Sequence, residues 1–405
     1  MNWSMRFRSI FIYSVLLCLG MAAALIYDAY QAPNLPRLNL LDDANHYEKI
    51  YSYFRNEEAA YQVRYMFHSR VLIPFLASLL PGRSSDQNFF TINTIMAIAS
   101  FMGLWYLFRF FHIRPLHAML AMVFFAFHYV GPFRQNAISP INVDMTVYFF
   151  EILFLMLFLK KKYLWLLLVT PVAIAGKELF LALIIVFFCI ALFWRIVFGH
   201  QRFALGWMVA ILGVGLATQL LLNLSFPSDD PAKNAMLIMA FHVKEMLLHP
   251  AYIMRWMLSL FAAFGAFAFL LIKKPKEIWA SITPYELPVH LLSLSMLALS
   301  FLGGMDYTRL IFLGFPFIML SVLLLVKPTT IQLLPAFALS VLMTRFWKTL
   351  PEVKGDIGIY SAWMPEYADY IHMAYWTLAA LLAFAFYRGS RAILNYRFSD
   401  GRTEQ

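Results

Sequence analysis

The sequence predicts an all-α fold: a polytopic bundle of about twelve transmembrane helices, a single integral membrane domain over residues 1–405. Three observations predict it. Hydrophobic residues make up 62% of the chain and charged residues 13%, against roughly 25% charged in a soluble domain. Apolar runs of near-spanning length recur from end to end. No stretch between them is long enough to bury a core of its own, so the segments outside the bundle read as loops.

In chain order the runs fall at about 9–27, 88–108, 115–132, 142–159, 163–176, 178–194, 203–226, 256–272, 286–302, 308–326, 329–346 and 371–387. The first follows MNWSMRFRS and has the regions of a signal peptide. Its apolar part exceeds the usual ~7–15 residues, so it reads as an uncleaved first span. The 163–176 run is short for a straight crossing of roughly 20 residues and abuts Gly176, Lys177 and Glu178, which predicts a tilted or broken helix. Cys18 and Cys189, the only cysteines, lie inside apolar runs, which excludes a disulfide framework and a thiolate metal site.

Twelve crossings place both termini on one side. The short connections of that side carry 17 of the 32 basic residues and four of the 22 acidic ones. The other side carries 15 basic and 17 acidic residues over longer loops, with Glu151 in mid-span. The positive-inside rule therefore puts the termini in the cytoplasm. The formal net charge of +10 reflects topology, and no nucleic-acid partner is expected. The long connections 28–87, 133–141, 227–255 and 347–370 then face outward, the side on which function is expected.

The outward loop 28–87 contains two interfacial segments. In 43-DANHYEKIYSYF-54 the residues Tyr47, Ile50, Tyr51 and Phe54 recur at helical spacing, which predicts an amphipathic helix along the outer interface with its aromatics among lipid headgroups. Asp42 and Asp43 open it. One aspartate suffices as a helix cap, which leaves the other, near His46, for a base or a metal ligand. Further on, Arg64, His68 and Arg70 precede 70-RVLIPFLASLL-80, an apolar segment too short to span. Such groups at a membrane surface suit an anionic headgroup; each also suits simple snorkelling toward phospholipid.

Asp144 and Glu151 stand seven residues apart on one face of the 142–159 helix. Arg134, in 134-RQNAISPINVD-144, is a candidate partner for Asp144. Glu151 is either a protonated packing residue or faces a cavity. Lys177 with Glu178, and Asp306 with Arg309, each have a local ion pair as their simplest explanation, yet four separate segments bring ionisable side chains to the same face. The chain carries no phosphate-binding loop, dinucleotide fingerprint, zinc-protease helix or nucleophile elbow.

The order of these features resembles the GT-C superfamily of polytopic glycosyltransferases, which use polyprenyl-phosphate sugars. The features that carry the likeness are Asp42 and Asp43 after the first span, the interfacial segment 70–80, the 134–144 stretch, the Lys177-Glu178 doublet, and Asp306-Tyr307-Thr308-Arg309 opening a span. The likeness covers roughly residues 1–330. It implies an enzyme with Asp43 or Asp42 as catalytic base. On this likeness Arg64, His68, Arg70, Arg134, Asp144, Lys177, Glu178, Asp306 and Arg309 are expected to line the substrate and phosphate site, with Arg64, Arg70, Lys177 and Arg309 as phosphate contacts, in a bacterial inner (plasma) membrane. The implied partners are a polyprenyl-phosphate sugar donor, a glycan or lipid acceptor of the cell envelope, and membrane lipids. A divalent metal is left open, and no other cofactor is implied.

The competing readings are a transporter or flippase of lipid-linked saccharide, with Asp144, Glu151 and Arg309 as a midplane relay, and an O-antigen-type polymerase or ligase. The latter calls for a large late outward loop rich in arginine, whereas 347–370 holds only Lys348 and Lys354, with Arg345 at its edge.

The topology is tested by cysteine labelling in a background with Cys18 and Cys189 replaced by serine. A cysteine at Ser228 should react with a membrane-impermeant maleimide in intact cells, and one at Lys274 only after permeabilisation. The opposite pattern inverts the orientation.

Overall fold

The computed structural model describes residues 43–58, 60–82, 84–198, 203–230, 235–271, 282–344 and 361–400. The first expected span (9–27), Asp42, the connection 273–277 and residues 345–360 lie outside the described residues. Sixteen α-helices are described: α1 Asp43–Phe54, α2 Leu72–Ser78, α3 Ser85–Phe110, α4 Pro115–Phe127, α5 Pro132–Ile138, α6 Asp144–Leu159, α7 Tyr163–Gly176, α8 Leu179–Phe198, α9 Leu205–Ser225, α10 Ala235–Leu248, α11 Pro250–Phe264, α12 Leu287–Leu302, α13 Tyr307–Leu313, α14 Phe315–Val326, α15 Thr330–Thr344 and α16 Tyr370–Asp400. A 3-10 stretch, Gly265–Leu271, prolongs α11, and a single 3-10 turn, Pro365–Tyr367, precedes α16. Among the described residues there is no strand.

Local chemistry fixes many of the helix starts. Ser84 caps α3 by accepting from the Gln87 amide, and proline occupies the first or second position of α4, α5, α11, α12 and α14, where its missing N–H costs nothing. Every expected run that falls on described residues is helical. Six helices, counting α4 with α5 and α11 with its 3-10 continuation as one each, are long and apolar enough to cross a membrane, or seven with the bent pair α13–α14. The expected count of twelve is larger because it includes the first run and four short helices, α6, α7, α12 and α15. At 14–16 residues each, these reach about 21–24 Å at 1.5 Å per residue, short of a ~30 Å hydrocarbon core.

Burial separates centre from periphery. α6 and α14 are buried along nearly their whole length. α9 and α16 instead present Leu220, Leu221, Leu224, Leu381, Leu382 and Phe386 outward, the apolar exterior that lipid requires. α3 packs along α6, α7 along α9, and α12 along α14. α13 and α14 meet at 67°, and their sequence explains the break. Pro316 removes an amide and crowds the carbonyl four residues back, while a Cβ at Gly314 would stand 2.8 Å from Met296 Cβ on α12. The short helix α13 is thereby turned away from the axis of α14.

Two segments differ from expectation. The 133–141 stretch, expected as an outward loop, is mostly the buried helix α5 and its following turn. Its backbone is met from inside the bundle, where Asn93 of α3 donates to the carbonyls of Pro140 (2.8 Å) and Asn142 (2.9 Å), and the Asn136 side chain ties the segment to the Thr94 hydroxyl (2.9 Å). A buried irregular segment needs such partners. The aromatic face of α1, expected among headgroups, is turned to protein: Tyr47, Ile50 and Tyr51 are buried in a cluster with Phe67, Val71 and Phe89.

Gly265 has φ +55, and a Cβ there would lie 2.7 Å from Ser340 Oγ and 2.8 Å from its Cα. Gly265→Ala should destabilise by about 1–3 kcal/mol through overpacking. Gly213→Ala, with open space around it, should stay within about 0.5 kcal/mol. Denaturant unfolding in detergent measures both.

Candidate functional site

The site is assembled from five segments. α1 contributes Asp43 and Tyr47, the turn before α2 contributes Arg70, and α6 contributes Asp144. The two-residue break between α7 and α8 supplies Lys177 and Glu178, and the start of α13 supplies Asp306 and Arg309. Tyr47 apart, which lies one turn inside its helix, each side chain stands at or next to the end of an element, so the ends of several helices converge on one place.

The local ion pair expected of Lys177 and Glu178 does not form, whereas the one expected of Asp306 and Arg309 does. Lys177 Nζ donates to Asp144 Oδ1 at 2.6 Å, and both side chains are nearly inaccessible. Glu178 pairs with Arg70, accepting from Nε at 2.8 Å and from Nη2 in a bidentate arrangement, the geometry that best matches a guanidinium to a carboxylate. Lys177 has an extended backbone, φ −163 and ψ 133, which ends α7 and sends the two adjacent side chains to different partners. Arg70 Nη1 also donates to Tyr47 Oη at 2.9 Å, tying α1 to this pair.

Arg309 stands among three carboxylates. Its Nη2 is 3.6 Å from Asp43 Oδ2, and its Nε is 3.6 Å from Asp144 Oδ2 and 2.7 Å from Asp306 Oδ2. None of these contacts has hydrogen-bond alignment, and Nε has no hydrogen-bond partner. The guanidinium is held by charge while its directional donors stay uncommitted among the described residues.

Three cations, Arg70, Lys177 and Arg309, thus face four carboxylates, Asp43, Asp144, Glu178 and Asp306. Asp43 is the carboxylate whose environment makes the imbalance chemical. Its side chain is 38% exposed, and Glu178, equally open at 39%, is already held bidentately by Arg70. Burial raises its carboxyl above the ordinary value; Arg309 and Arg70 act in the opposite sense, and Asp144 and Asp306 add to the rise. A carboxylate that is accessible, anionic and in excess of its counter-charges is a proton acceptor.

The other expected site residues lie apart from this cluster. Arg64 is exposed and lines a separate polar cleft of about 640 Å³ with Asn45, Glu48, Lys49 and Asp229. His68 is buried and bound through Nε2 to Asn223 Oδ1 at 3.1 Å, so it ties the loop to the end of α9. Arg134 is buried on α5, and its neighbour Gln135 places Nε2 3.3 Å from Asp144 Oδ2. Asp42 lies outside the described residues. Among the described residues no group of three or more His, Cys, Asp or Glu side chains is arranged to hold a metal ion. Glu151, two turns below Asp144, is fully buried with neither carboxyl oxygen hydrogen-bonded.

Sequence reasoning missed Tyr47 as a partner of Arg70, Gln135 as a partner of Asp144, and Asn93 as the clamp on the turn that presents Asp144. Each is a single polar atom in an apolar or aromatic context, and no local pattern marks it. Comparison of the chain with protein-family models, with curated proteins and with solved structures gives no match in any of the three.

The buried Asp144–Lys177 pair should be costly to break from one side. Lys177→Met leaves Asp144 without its closest counter-charge and should destabilise by about 3–5 kcal/mol, with much of the loss recovered in the Lys177→Met, Asp144→Leu double variant. Unfolding free energies in detergent give the comparison.

Proposed function

We propose that the chain is a membrane glycosyltransferase, moving a sugar from a polyprenyl-phosphate donor to a cell-envelope acceptor on the extracytoplasmic face, with both termini cytoplasmic and about twelve crossings. The observation that carries this reading is Arg309, a guanidinium surrounded by carboxylates with its hydrogen-bonding capacity unspent, placed beside the accessible Asp43.

The chemistry needs two things. The acceptor hydroxyl attacks the anomeric carbon, and its proton passes to Asp43. The bond from that carbon to the phosphate oxygen breaks, and the electron pair leaves with the lipid phosphate. A base and a cation must therefore stand next to each other at headgroup depth. Asp43 and Arg309, 3.6 Å apart, are such a couple. Proton uptake by Asp43 balances the cluster at three charges of each sign, so the step that makes the nucleophile also removes the excess negative charge from around the departing phosphate. Arg70 and Lys177 act one step back, by holding Glu178 and Asp144 and fixing the walls of the site. Bonded in this way, they are support for Arg309 rather than the direct phosphate contacts expected from the sequence.

One observation favours the transporter reading. Glu151 is fully buried without a hydrogen-bond partner on the same helix as Asp144, and buried carboxyls at such depth commonly serve proton relays. Purified protein incubated with a panel of polyprenyl-phosphate sugars separates the two. Transfer or hydrolysis with release of lipid phosphate from one donor is expected, and Glu151→Gln should leave it within about two-fold; a relay would lose its coupling.

Asp43→Asn should fold like the parent and lose roughly 10²- to 10⁴-fold in transfer rate. The rate of the parent should fall on acidification through the raised Asp43 pKa, because only the ionised carboxylate accepts the proton. That limb should be missing from the residual activity of Asp43→Asn. Full activity in this variant removes Asp43 from the mechanism.

A further inference from the structure

α13 begins after Asp306, which stands in its cap position. Aspartate is among the best helix caps because its carboxylate accepts a first-turn amide, yet Asp306 makes no such bond. Its carboxylate is drawn to Arg309 instead. The first-turn amide is not left open, however. The Thr308 amide donates to Glu366 Oε1 at 3.0 Å and the Thr308 hydroxyl to Glu366 Oε2 at 2.5 Å, while Ser259 of α11 donates to Oε2 at 3.1 Å. Glu366 is 58 residues away along the chain, buried in the 3-10 turn Pro365–Tyr367.

We propose that Glu366 is a positioning residue of the Asp43–Arg309 site: it caps α13 across space and so releases Asp306 to orient Arg309. The logic is one of competition. The Asp306 carboxylate is turned toward Arg309 and makes no bond to the amides of its own helix start. A second carboxylate supplied from the late loop takes the capping task, and the local one is left for the guanidinium. Ser259 and the Thr308 hydroxyl both donate to Oε2 of Glu366, which leaves Oε1 aimed at the Thr308 amide. The Arg255 guanidinium fixes the same turn by donating to the Ala368 carbonyl at 3.0 Å.

This arrangement gives the site a second titrating group. Burial, followed by repulsion from Asp306, pushes the Glu366 carboxyl up to about 7. The charged and titratable groups around it are Asp306, Tyr307 and Arg309 from the start of α13, Tyr252 and Arg255 from α11, and the exposed Asp369–His372 pair at the start of α16. A raised carboxyl pKa stabilises the folded state below the unfolded-state value and loses that contribution as pH rises through 7. The unfolding constant of the parent should therefore rise roughly ten-fold between pH 6 and 8 relative to Glu366→Gln, in which the group does not titrate.

The decisive experiment is a double-mutant cycle on the full chain in detergent, and it does not depend on the transferase reading. In Glu366→Ala, Asp306 is expected to swing back and cap α13, so that variant loses less than a full cap. Adding Asp306→Ala then removes both caps, and the double variant should be about five-fold less stable than the sum of the single effects. Asp306→Asn, which can still cap, should not show the extra loss. Release of Arg309 is read separately, by peptide mass spectrometry of phenylglyoxal labelling: labelling at Arg309 should be several-fold faster in Glu366→Ala and near the parent rate in Glu366→Gln. Additivity of the two alanine substitutions, or unchanged Arg309 labelling in Glu366→Ala, overturns the proposal.

Discussion

The buried contact between Lys177 and Asp144 is the constraint on which the rest of the site depends. Taking both charges out of water is expensive, and the pair is tolerated only because its geometry is tight and Asp144 is further held by Gln135 and by the Asn142 side chain on its amide. The requirement reaches outward in both directions. To bring Lys177 to Asp144 the chain has to stop α7 and turn before α8, which frees Glu178 to face Arg70. To hold Asp144 at the start of α6, the turn before it has to be buried, and Asn93 has to satisfy carbonyls that no water can reach. Arg309 then finds Asp144 already committed to Lys177 through Oδ1, with only Oδ2 facing it.

The same economy runs through the backbone. Pro316 and Gly314 interrupt what would be one long helix, and only because of that interruption does α13 carry Arg309 across to the ends of α1 and α6. A straight helix from residue 307 to 326 would hold Arg309 along its own axis. The ionic cluster of this bundle is gathered at helix ends and breaks, while the uninterrupted helices supply walls.

Much of the helical framework was legible in the sequence. Long apolar runs announce helices through hydrophobicity alone, so every run that falls on described residues is found as one. Crossing number was less legible, because a run of 14–16 apolar residues serves equally as a short span or a buried core helix, and composition does not distinguish them. The candidate site was legible as a list and not as a set of bonds. Asp43, Asp144, Asp306 and Arg309 stand out because charge in apolar surroundings is conspicuous. Their partners are not local, however: Lys177 looks as though it pairs with its neighbour Glu178, and only the tertiary fold separates them. Residues 133–141 read as a loop because Arg134, Gln135, Asn136, Ser139 and Pro140 break up a short stretch, and nothing in that composition reveals an asparagine on α3 that donates to the carbonyls of Pro140 and Asn142. The aromatic face of α1 was placed among lipid headgroups for a similar reason, as Tyr and Phe suit that zone and a protein interior equally well.

Arg309 also determines how the site relates to its surroundings. The positive charge that three carboxylates converge upon is covalently part of the polypeptide. It cannot dissociate, be exchanged for another ion, or be stripped by a chelator, and its position is dictated by one short helix rather than by the supply of solutes on either side of the membrane.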